Sequence, residues 1–217
     1  MMQQREMVLK QVGSIVNYML NQTIEYYNKN AKKYYEDTVN ADMSYFRDKF
    51  LRLVKPGGTI LDLGCGTGRD SKAFKDACFK IVAVDGSREL CNMASELVGQ
   101  EVICSTFEGF MPNEKYDGIW ACSSLLHISK EEIKRVVKKL LPYMNDNCIF
   151  YMSYKYGNFS GNRNDRFFAD MTEDSINEIF KEFTNLSKVD EEITFDVRPG
   201  RSSEKWLNEY YIKRVTI

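Results

Sequence analysis

The sequence predicts an α/β fold: a seven-stranded, mostly parallel sheet with helices on both faces, a late antiparallel hairpin and a helical N-terminal segment. Three observations predict it. From residue 59 onwards, short apolar runs of strand length alternate with segments of helical periodicity, which is the pattern of a parallel sheet. The first of these runs leads directly into a glycine-rich turn and a helix. The last two runs flank a Pro-Gly turn, which favours an antiparallel pair.

The N-terminal quarter of the chain is predicted to be helical. Apolar residues recur at helical spacing over residues 8–20, and a second helical pattern covers about residues 23–37. A third helix is predicted to begin after Asp42, a candidate N-cap, with an apolar stripe that ends at Val54. The turn-forming run Lys55-Pro56-Gly57-Gly58 then separates these helices from the sheet.

Strands and helices alternate through the rest of the chain. A capping box, Ser129 with Glu132, predicts the start of one of the helices, and Thr172 precedes the last one. The turn Arg198-Pro199-Gly200-Arg201 joins the two strands of the predicted hairpin. The predicted strands are 59–63, 80–84, 101–104, 118–121, 148–153, 186–197 and 206–217, and the predicted helices are 71–77, 87–98, 130–141 and one after Thr172.

Length and composition favour one soluble domain. The chain has 217 residues, 43% of them hydrophobic, which is enough for one sizeable core. We divide this domain into a helical lid, residues 1–55, and an α/β core, residues 56–217. No run approaches the roughly 18 apolar residues that a membrane span needs. Charged residues interrupt the apolar N-terminus, so no signal-peptide core is recognised and we expect a cytoplasmic protein.

Charge and cysteine content exclude other classes. The formal net charge of −1 lacks the basic excess that is typical of proteins gripping a long stretch of nucleic acid, so a nucleic-acid partner is not expected. Six cysteines occur without the short spacings of a zinc site, and the chain has a single histidine. We therefore expect free thiols and no bound metal.

The segment Ile60-Leu61-Asp62-Leu63-Gly64-Cys65-Gly66-Thr67-Gly68 is the most informative one. A predicted strand runs into closely spaced glycines, and a helix follows. Glycines allow the sharp turn and a close approach of backbone to ligand, while the helix N-terminus offers free N–H groups. Asp85 ends the next strand, where a carboxylate can accept hydrogen bonds from both hydroxyls of a ribose. Together these features predict a site for an adenosine-containing ligand at the carboxyl edge of the sheet.

The spacing of the glycines distinguishes between such ligands. A dinucleotide fingerprint needs Gly-x-Gly-x-x-Gly, but Arg69 occupies the position of its third glycine, and no Gly-Lys-Ser/Thr of a P-loop follows. Asp62, just before the loop, is unfavourable beside a pyrophosphate but favourable beside an ammonium group. S-adenosylmethionine (SAM) carries an ammonium group, so the loop favours SAM over NAD.

The motifs also resemble those of a known family. The loop Asp62–Gly68 is similar to the first motif of class I SAM-dependent methyltransferases. Val84-Asp85-Gly86-Ser87 is similar to their second motif, and the segment from Tyr116 to His127 to their fourth. With the run Tyr26–Tyr34 included, the chain most resembles the small bacterial enzymes of the ubiquinone-biosynthesis type or tellurite-resistance type. The resemblance implies a Rossmann-like fold, a methyltransferase activity and SAM as the cofactor.

The resemblance also implies roles for individual residues. Asp62, Gly64 and Gly66 would surround the methionine part of SAM with Cys65 between them, and Arg69 would meet its carboxylate. Asp85 would hold the ribose, with Gly86 and Ser87 beside the adenine. The segment Cys104-Ser105-Thr106-Phe107 lacks the acid that usually contacts the adenine amine, and the Thr106 hydroxyl beside Phe107 would replace it. The remaining implied contacts are Tyr27 and Tyr34 over the cofactor and Ala121 and Cys122 beneath it.

The reacting groups are less constrained by the sequence. His127 is a candidate general base, because its ordinary pKa near 6.5 suits proton removal, and the plain alternative is a structural histidine. Likewise, Tyr27 and Tyr34 could be packing residues of the predicted helix over about residues 23–37. Lys155, Arg166, Arg198 and Arg201 fall on or after late strands and could bind an anionic acceptor, or form a solvated surface.

We therefore expect an enzyme that transfers the SAM methyl group to a small molecule, hypothetically an anionic one. Two alternatives stay open. One is an RNA-modifying methyltransferase that uses the late basic and aromatic loops. The other is a SAM-binding protein without catalysis. The sequence indicates neither the methyl acceptor nor the oligomeric state.

Overall fold

The computed structural model describes the backbone of residues 2–215 and the side chains of residues 20–215. The predicted helices and strands occur along the chain in the predicted order. The α-helices are α1 (Met2–Thr38), α2 (Ser44–Leu53), α3 (Arg69–Asp76), α4 (Arg88–Val98), α5 (Lys130–Leu140) and α6 (Glu173–Phe180). The strands are β1 (Thr59–Leu63), β2 (Lys80–Asp85), β3 (Ile103–Cys104), β4 (Tyr116–Ala121), β5 (Met144–Lys155), β6 (Ser160–Arg163), β7 (Arg166–Ala169), β8 (Leu186–Phe195) and β9 (Lys205–Lys213). Short 3₁₀ helices cover Leu125–His127 and Leu141–Tyr143.

Seven strands form one sheet in the order β3-β2-β1-β4-β5-β9-β8. The first five are parallel, and β9 lies antiparallel to both β5 and β8. The strand order reverses beside β1, so the carboxyl ends of β1 and β4 flank a crevice of the kind in which open α/β sheets bind ligands. The predicted seven-stranded, mostly parallel, Rossmann-like sheet with a late hairpin is confirmed.

The central strands are buried on both faces, as expected for a sheet covered by helices. Successive residues of β4 show the alternation: Ile119 packs with α5 and α6 on one face, and Trp120 packs with α2 and α3 on the other. β1 and β5 alternate in the same way. The core is therefore two apolar layers, one on each side of the sheet, which hold the strand ends and their loops in fixed positions.

The N-terminal helices differ in detail from the prediction. Two helical segments make up α1, but they meet at a kink at Asn30 (φ −114°, ψ 16°) rather than near residues 21–22. The side chains of the apolar stripe over residues 8–19 lie outside the described residues. Met43, rather than Asp42, is the N-cap of α2, although the Asp42 carboxylate accepts a hydrogen bond from the Ser44 backbone N–H over 2.9 Å.

Other boundaries shift where the sequence pattern is weak. β3 has only two residues, and β5 begins earlier than predicted, at Met144. The antiparallel pair β6–β7 was not predicted, because the run Ser160–Arg163 has no apolar alternation. β9 ends at Lys213 rather than at residue 217, and residues 216–217 lie outside the described part.

Within the described residues, no helix has both the length and the apolar character that a membrane crossing requires.

Candidate functional site

Three glycines after β1 adopt backbone conformations that favour glycine. Gly64, Gly66 and Gly68 have φ angles of 82°, 58° and 84°. A Cβ atom on Gly64 would lie 2.4 Å from the Cβ of Ser124, and one on Gly66 would lie 3.2 Å from the Tyr34 ring. The loop therefore needs glycine both for its turn and for the space between itself and its neighbours.

Asp85, at the end of β2, is hydrogen-bonded to the glycine loop. Its carboxylate accepts the backbone N–H of Gly66 over 2.9 Å and that of Ser87 over 2.8 Å. Burial raises the pKa of Asp85 to about 6, although these backbone donors oppose the shift. Asp85 is therefore a fixed hydrogen-bond acceptor beside the loop.

A second carboxylate, Asp62, lies beneath the loop with only 2% of its surface exposed. It accepts a 2.6 Å hydrogen bond from the Ser71 hydroxyl at the start of α3. Burial, together with the nearby Asp70, raises the pKa of Asp62 to about 8. At neutral pH this group is therefore largely protonated, unless a cation binds beside it.

Asp70 was not predicted as a site residue, and it lies at the centre of a charged network. Its carboxylate accepts two hydrogen bonds from Arg69, at 2.9 and 2.7 Å, one from Arg47 at 2.9 Å and one from the Trp120 indole at 3.0 Å. Burial alone would raise the pKa of Asp70, but the two guanidinium groups hold it below its usual value. Arg69 is therefore positioned by Asp70 rather than being free above the loop.

The first cavity, called the loop cavity, lies between the glycine loop, the ends of β2 and β4, and helix α1. It brings together nine predicted cofactor residues: Tyr27, Tyr34, Gly64, Gly66, Asp85, Gly86, Ser87, Thr106 and Phe107. Its remaining lining residues are Leu20, Thr23, Ile24, Leu90, Ser105, Ser123, Ser124 and His127.

The other predicted cofactor residues lie elsewhere. Asp62, Cys65, Arg69 and Cys122 line a small cleft that shares Tyr34 and Gly64 with the loop cavity. Ala121 is completely buried in the core and does not line the loop cavity. The residues that follow Cys122, namely Ser123 and Ser124, face the cavity instead.

Tyr27 connects helix α1 to His127. Its hydroxyl lies 2.8 Å from His127 Nε2, and His127 Nδ1 lies 2.7 Å from the carbonyl oxygen of Phe167 in β7. Burial lowers the pKa of His127 to about 4, so the ring is neutral at pH 7. The ring of Tyr34 meets that of Tyr27 edge-on, with centroids 5.1 Å apart. Burial also raises the pKa of both phenols.

The second cavity, called the cationic cavity, lies above the ends of β4, β5 and β9. It brings together all four predicted acceptor-binding residues: Lys155, Arg166, Arg198 and Arg201. Aromatic rings of Phe46, Phe168, Phe195 and Trp206 also line it. The loop cavity and the cationic cavity share four lining residues, Tyr27, Tyr34, Ser123 and His127, so the two cavities adjoin along these side chains.

The four cations differ in their partners. Arg198 forms a bidentate pair with Asp196, at 2.9 and 2.6 Å. Lys155 pairs with Glu204, and Arg201 lies 3.7 Å from the same carboxylate. Arg166 has no carboxylate partner among the described residues.

Arg166 instead lies over aromatic rings. Its guanidinium carbon is 4.3 Å from the Tyr26 ring centroid and 5.1 Å from that of Phe168. One of its NH₂ groups donates to the Tyr27 hydroxyl over 3.4 Å, and its buried Nε has no hydrogen-bond partner in the described part of the chain.

Sequence reasoning missed two acidic partners of the predicted cations, although Asp196 lies two residues before Arg198 and Glu204 three after Arg201. Asp196 and Glu204, which pair with the predicted cations, are ordinary charged residues of a hairpin in the sequence. Ser123 did carry a signal, since it lies two residues after a predicted strand, at the ligand-binding edge. It has a left-handed backbone (φ 53°), and its N–H donates to the Ser153 hydroxyl over 2.8 Å. Strained non-glycine residues of this kind are frequent at binding sites.

Known proteins show similarities to this chain. Residues 60–147 match the family model described as "Methyltransferase domain". An uncharacterised protein of Methanocaldococcus jannaschii is 30% identical over 129 residues, and this match covers 58% of the chain but only 49% of that protein, about half its length. An uncharacterised methyltransferase of Staphylococcus carnosus is 24% identical over 170 residues, covering 71% of the chain and 82% of that protein.

A solved structure shares the fold. The 1,6-didemethyltoxoflavin-N1-methyltransferase of Burkholderia thailandensis, solved with 1,6-didemethyltoxoflavin and S-adenosylhomocysteine, superposes with a TM-score of 0.71 at 16% identity. The match covers 94% of this chain and 90% of that one. Residues 60–147 are thus a methyltransferase domain on a matching fold, which confirms the resemblance of this chain to the class I SAM-dependent methyltransferases.

Proposed function

We propose that this protein transfers the methyl group of SAM to a small anionic molecule. The observation that carries the proposal is the arrangement of the two cavities. One is lined by the glycine loop and Asp85, the other by four cations, and the two adjoin along Tyr27, Tyr34, Ser123 and His127. A methyl group bound at the edge of the first cavity is therefore within reach of an acceptor bound in the second.

The residues of the loop cavity suit SAM. Asp85 presents a carboxylate to the hydroxyls of a ribose, and the glycines leave the space that a close ligand needs. Asp62 and Arg69 lie in the adjoining cleft, where an ammonium and a carboxylate group would find opposite charges. Bound SAM supplies a methyl group already activated on a sulfonium, so the protein's part is to align the acceptor and exclude water.

The cationic cavity supports an anionic acceptor. Five cationic side chains line it, the four predicted ones and Arg69, whereas Asp196 is its one acidic lining residue among the described residues. Arg166 lines this cavity, and its buried Nε–H has no hydrogen-bond partner in the described part of the chain. Arginine binds carboxylate and phosphate well. The fold neighbour from Burkholderia thailandensis acts on a small molecule, 1,6-didemethyltoxoflavin, which favours a small acceptor over a polymer.

The predicted division into a lid and a core is part of this proposal. Helix α1 contributes Tyr27, Tyr34 and Thr38 to the cavity walls, so residues 1–55 would cover the site while residues 56–217 carry it. Opening of this cover would admit SAM and release the product.

The test has two arms. Calorimetry should show binding of SAM and S-adenosylhomocysteine but not of NAD, and binding should be strongly weakened by Asp85→Ala. Incubation with methyl-labelled SAM and the low-molecular-weight filtrate of a bacterial extract should then place label in a small anion.

Three results would contradict the proposal. Binding of NAD in place of SAM would exclude SAM as the cofactor. Binding of SAM with no transfer to the filtrate or to RNA would indicate a non-catalytic binding protein. Transfer to RNA alone, with activity that falls steeply as salt rises, would indicate an RNA-modifying enzyme.

A further inference from the structure

Tyr27 and His127 form a hydrogen-bonded pair where the two cavities adjoin, and the direction of that bond follows from chemistry. The carbonyl oxygen of Phe167 can only accept, so His127 Nδ1, 2.7 Å away, carries the hydrogen. A neutral imidazole carries one hydrogen, which leaves the lone pair on Nε2. The Tyr27 hydroxyl, 2.8 Å from Nε2, therefore donates to it.

This arrangement revises the role of the histidine. The Nε2 lone pair that a direct general base would use is already occupied by Tyr27. The phenol oxygen, in contrast, has lone pairs of its own. One faces an Arg166 NH₂ group 3.4 Å away, and another is left to accept a proton from a bound molecule.

We propose that the Tyr27 hydroxyl is the group that takes the proton from the attacking atom of the acceptor, and that it passes its own proton to His127 Nε2. The inference rests on the proposed methyl transfer. Tyr27 would be the catalytic residue, because it touches the acceptor, and His127 would hold the proton behind it.

The transfer step moves one methyl group and two protons. The acceptor's lone pair forms a bond to the methyl carbon while the carbon–sulfur bond breaks, and sulfur keeps that electron pair. The acceptor's proton moves to the Tyr27 oxygen as the Tyr27 proton moves to Nε2, which makes His127 an imidazolium. Water then removes this proton after the product leaves. The Arg166 guanidinium stabilises the negative charge that develops on the phenol oxygen during the transfer.

The surroundings of the pair indicate which acceptors suit it. His127 is buried, with Phe168 against its ring, so its imidazolium is unstable and loses its proton readily. The relay therefore draws a proton only from an atom that becomes strongly acidic on methylation. A hydroxyl oxygen, or a non-basic ring or amide nitrogen, fulfils this condition, whereas an aliphatic amine does not. We therefore expect the anionic acceptor to carry such a group.

The single histidine of the chain allows a direct test without any acceptor. In ¹⁵N-histidine-labelled full-length protein, every imidazole signal belongs to His127. At pH 7 we expect the neutral Nδ1–H tautomer, and Tyr27→Phe should shift the Nε2 signal while leaving that tautomer in place. An Nε2–H tautomer in the wild type would overturn the relay, since Nε2 could then accept no proton.

The kinetic arm uses the same low-molecular-weight filtrate and labelled SAM. Tyr27→Phe keeps the ring but removes the relay, so the transfer rate should fall by about 100-fold or more. SAM affinity should stay within about twofold, because the hydroxyl serves the acceptor. Tyr26→Phe is the matched control: it removes a neighbouring hydroxyl that makes no contact with His127 and should transfer at nearly the wild-type rate.

The rate–pH profile gives a further readout. The charged and titratable groups around the pair are Arg166 from β7, Asp85 from β2, and Tyr26 and Tyr34 from α1. Loss of the relay should change the profile in Tyr27→Phe but not in Tyr26→Phe.

The outcomes separate the two proposals. If the wild type transfers label and Tyr27→Phe does so within about threefold of it, the relay is overturned while the methyltransferase function stands. Label found on an aliphatic amine nitrogen would also overturn the relay, while the methyltransferase function would stand. If the wild type binds SAM but transfers nothing, the function fails, and the relay fails with it.

Discussion

The carboxylate of Asp85 accepts a hydrogen bond from the backbone N–H of Gly66 over 2.9 Å. This bond joins the end of β2 to the loop after β1, two segments that lie side by side because their strands pair in parallel. The carboxylate also accepts the Ser87 N–H at the start of α4, so its position is fixed from both sides. A ligand that contacts the loop therefore meets an oriented acceptor at the edge of the sheet.

The affinity for SAM should fall below about pH 6. The pKa of Asp85 is raised by burial to about 6, so the carboxylate that accepts ribose hydroxyls is present above that pH and is lost as the pH falls through it. Calorimetric titrations with SAM between pH 5 and pH 7.5 should show this loss.

Asp85→Asn provides the control for that titration. The amide cannot ionise, so Asp85→Asn should lose the part of the pH dependence that Asp85 contributes, and the part that remains belongs to Asp62, whose pKa is raised to about 8. The SAM affinity of Asp85→Asn at pH 7.5 should be lower by about 10- to 100-fold, because a hydrogen bond to a charged acceptor contributes about 1.5–3 kcal/mol. If the wild type and Asp85→Asn show the same pH dependence, another group controls binding.

Local signals explain why so much of the fold could be predicted. The Ser129–Glu132 capping box and the glycine loop act over a few residues, and both lie where the sequence placed them. The break expected near residues 21–22 lies at Asn30 instead, where the backbone of α1 is non-helical and its two segments meet. The β6–β7 pair escaped prediction because β6 is polar and because β7 is held by tertiary contacts with α1, such as the Phe167 N–H bond to the Thr23 hydroxyl.

Only those residues of the site that belong to sequence motifs could be predicted. The glycine loop and Asp85 are recognisable by their spacing in the sequence, and they lie together in the structure. The sequence could not distinguish Arg198 from Arg166, because the difference lies in Asp196, which pairs with one and not the other. The hydrogen bond between Tyr27 and His127 joins residues 100 positions apart, and no local sequence pattern predicts such a contact.

Gly64→Ala should destabilise the protein more than Gly57→Ala. Both glycines have a left-handed backbone, at φ 82° and 67°, which costs an L-residue about 1–2 kcal/mol. A methyl group at position 57 meets nothing within 4 Å, whereas one at position 64 would lie 2.4 Å from the Cβ of Ser124.

The difference between the two variants therefore measures the steric contact in the loop. We expect Gly64→Ala to lose at least about 1 kcal/mol more free energy of unfolding in urea than Gly57→Ala. Equal losses would mean that the loop relaxes around the methyl group. In that case the close packing against Ser124 would not be a constraint on the site.

Asp62→Asn should remove a pH dependence from the stability. The pKa of Asp62 is raised by burial from 3.8 to about 8 in the fold, so the unfolded chain ionises first. Its contribution is fully present at low pH and is lost as the pH rises from 3.8 towards 8. Relative to Asp62→Asn, the wild type should lose about 1.4 kcal/mol of unfolding free energy for each pH unit in this range.

Denaturant unfolding at several values between pH 5 and pH 7.5 measures this difference. Asp76→Asn is the control, since the Asp76 side chain is 61% exposed and its difference from wild type should stay nearly constant. A constant difference for Asp62→Asn as well would show that Asp62 is already ionised in the folded protein.

Arg198 and Arg166 should differ in what their loss impairs. Asp196, the partner of Arg198, has a side chain only 2% exposed. Burial would raise its pKa, but the bonds from Arg198 lower it to about 2, so the pair stabilises the fold above pH 3.8 and loses this effect as the pH falls towards 2. Arg198→Ala leaves that carboxylate with the Trp206 indole as its remaining side-chain donor and should cost about 1–3 kcal/mol of stability at pH 7.

Arg166→Gln should show the opposite result, because Arg166 forms no ion pair with any described residue and its loss leaves no buried carboxylate unpaired. Its unfolding free energy should stay within about 1 kcal/mol of wild type, since mainly a cation–π contact is lost. Transfer to an anionic acceptor in the filtrate should fall by about 10- to 100-fold at low acceptor concentration, which is the effect of one charge-assisted hydrogen bond. Urea unfolding and label transfer, measured on both variants, test the contrast. Normal transfer by Arg166→Gln would indicate that the anionic acceptor binds to the paired cations instead. Their ion pairs would then have to open when the acceptor binds.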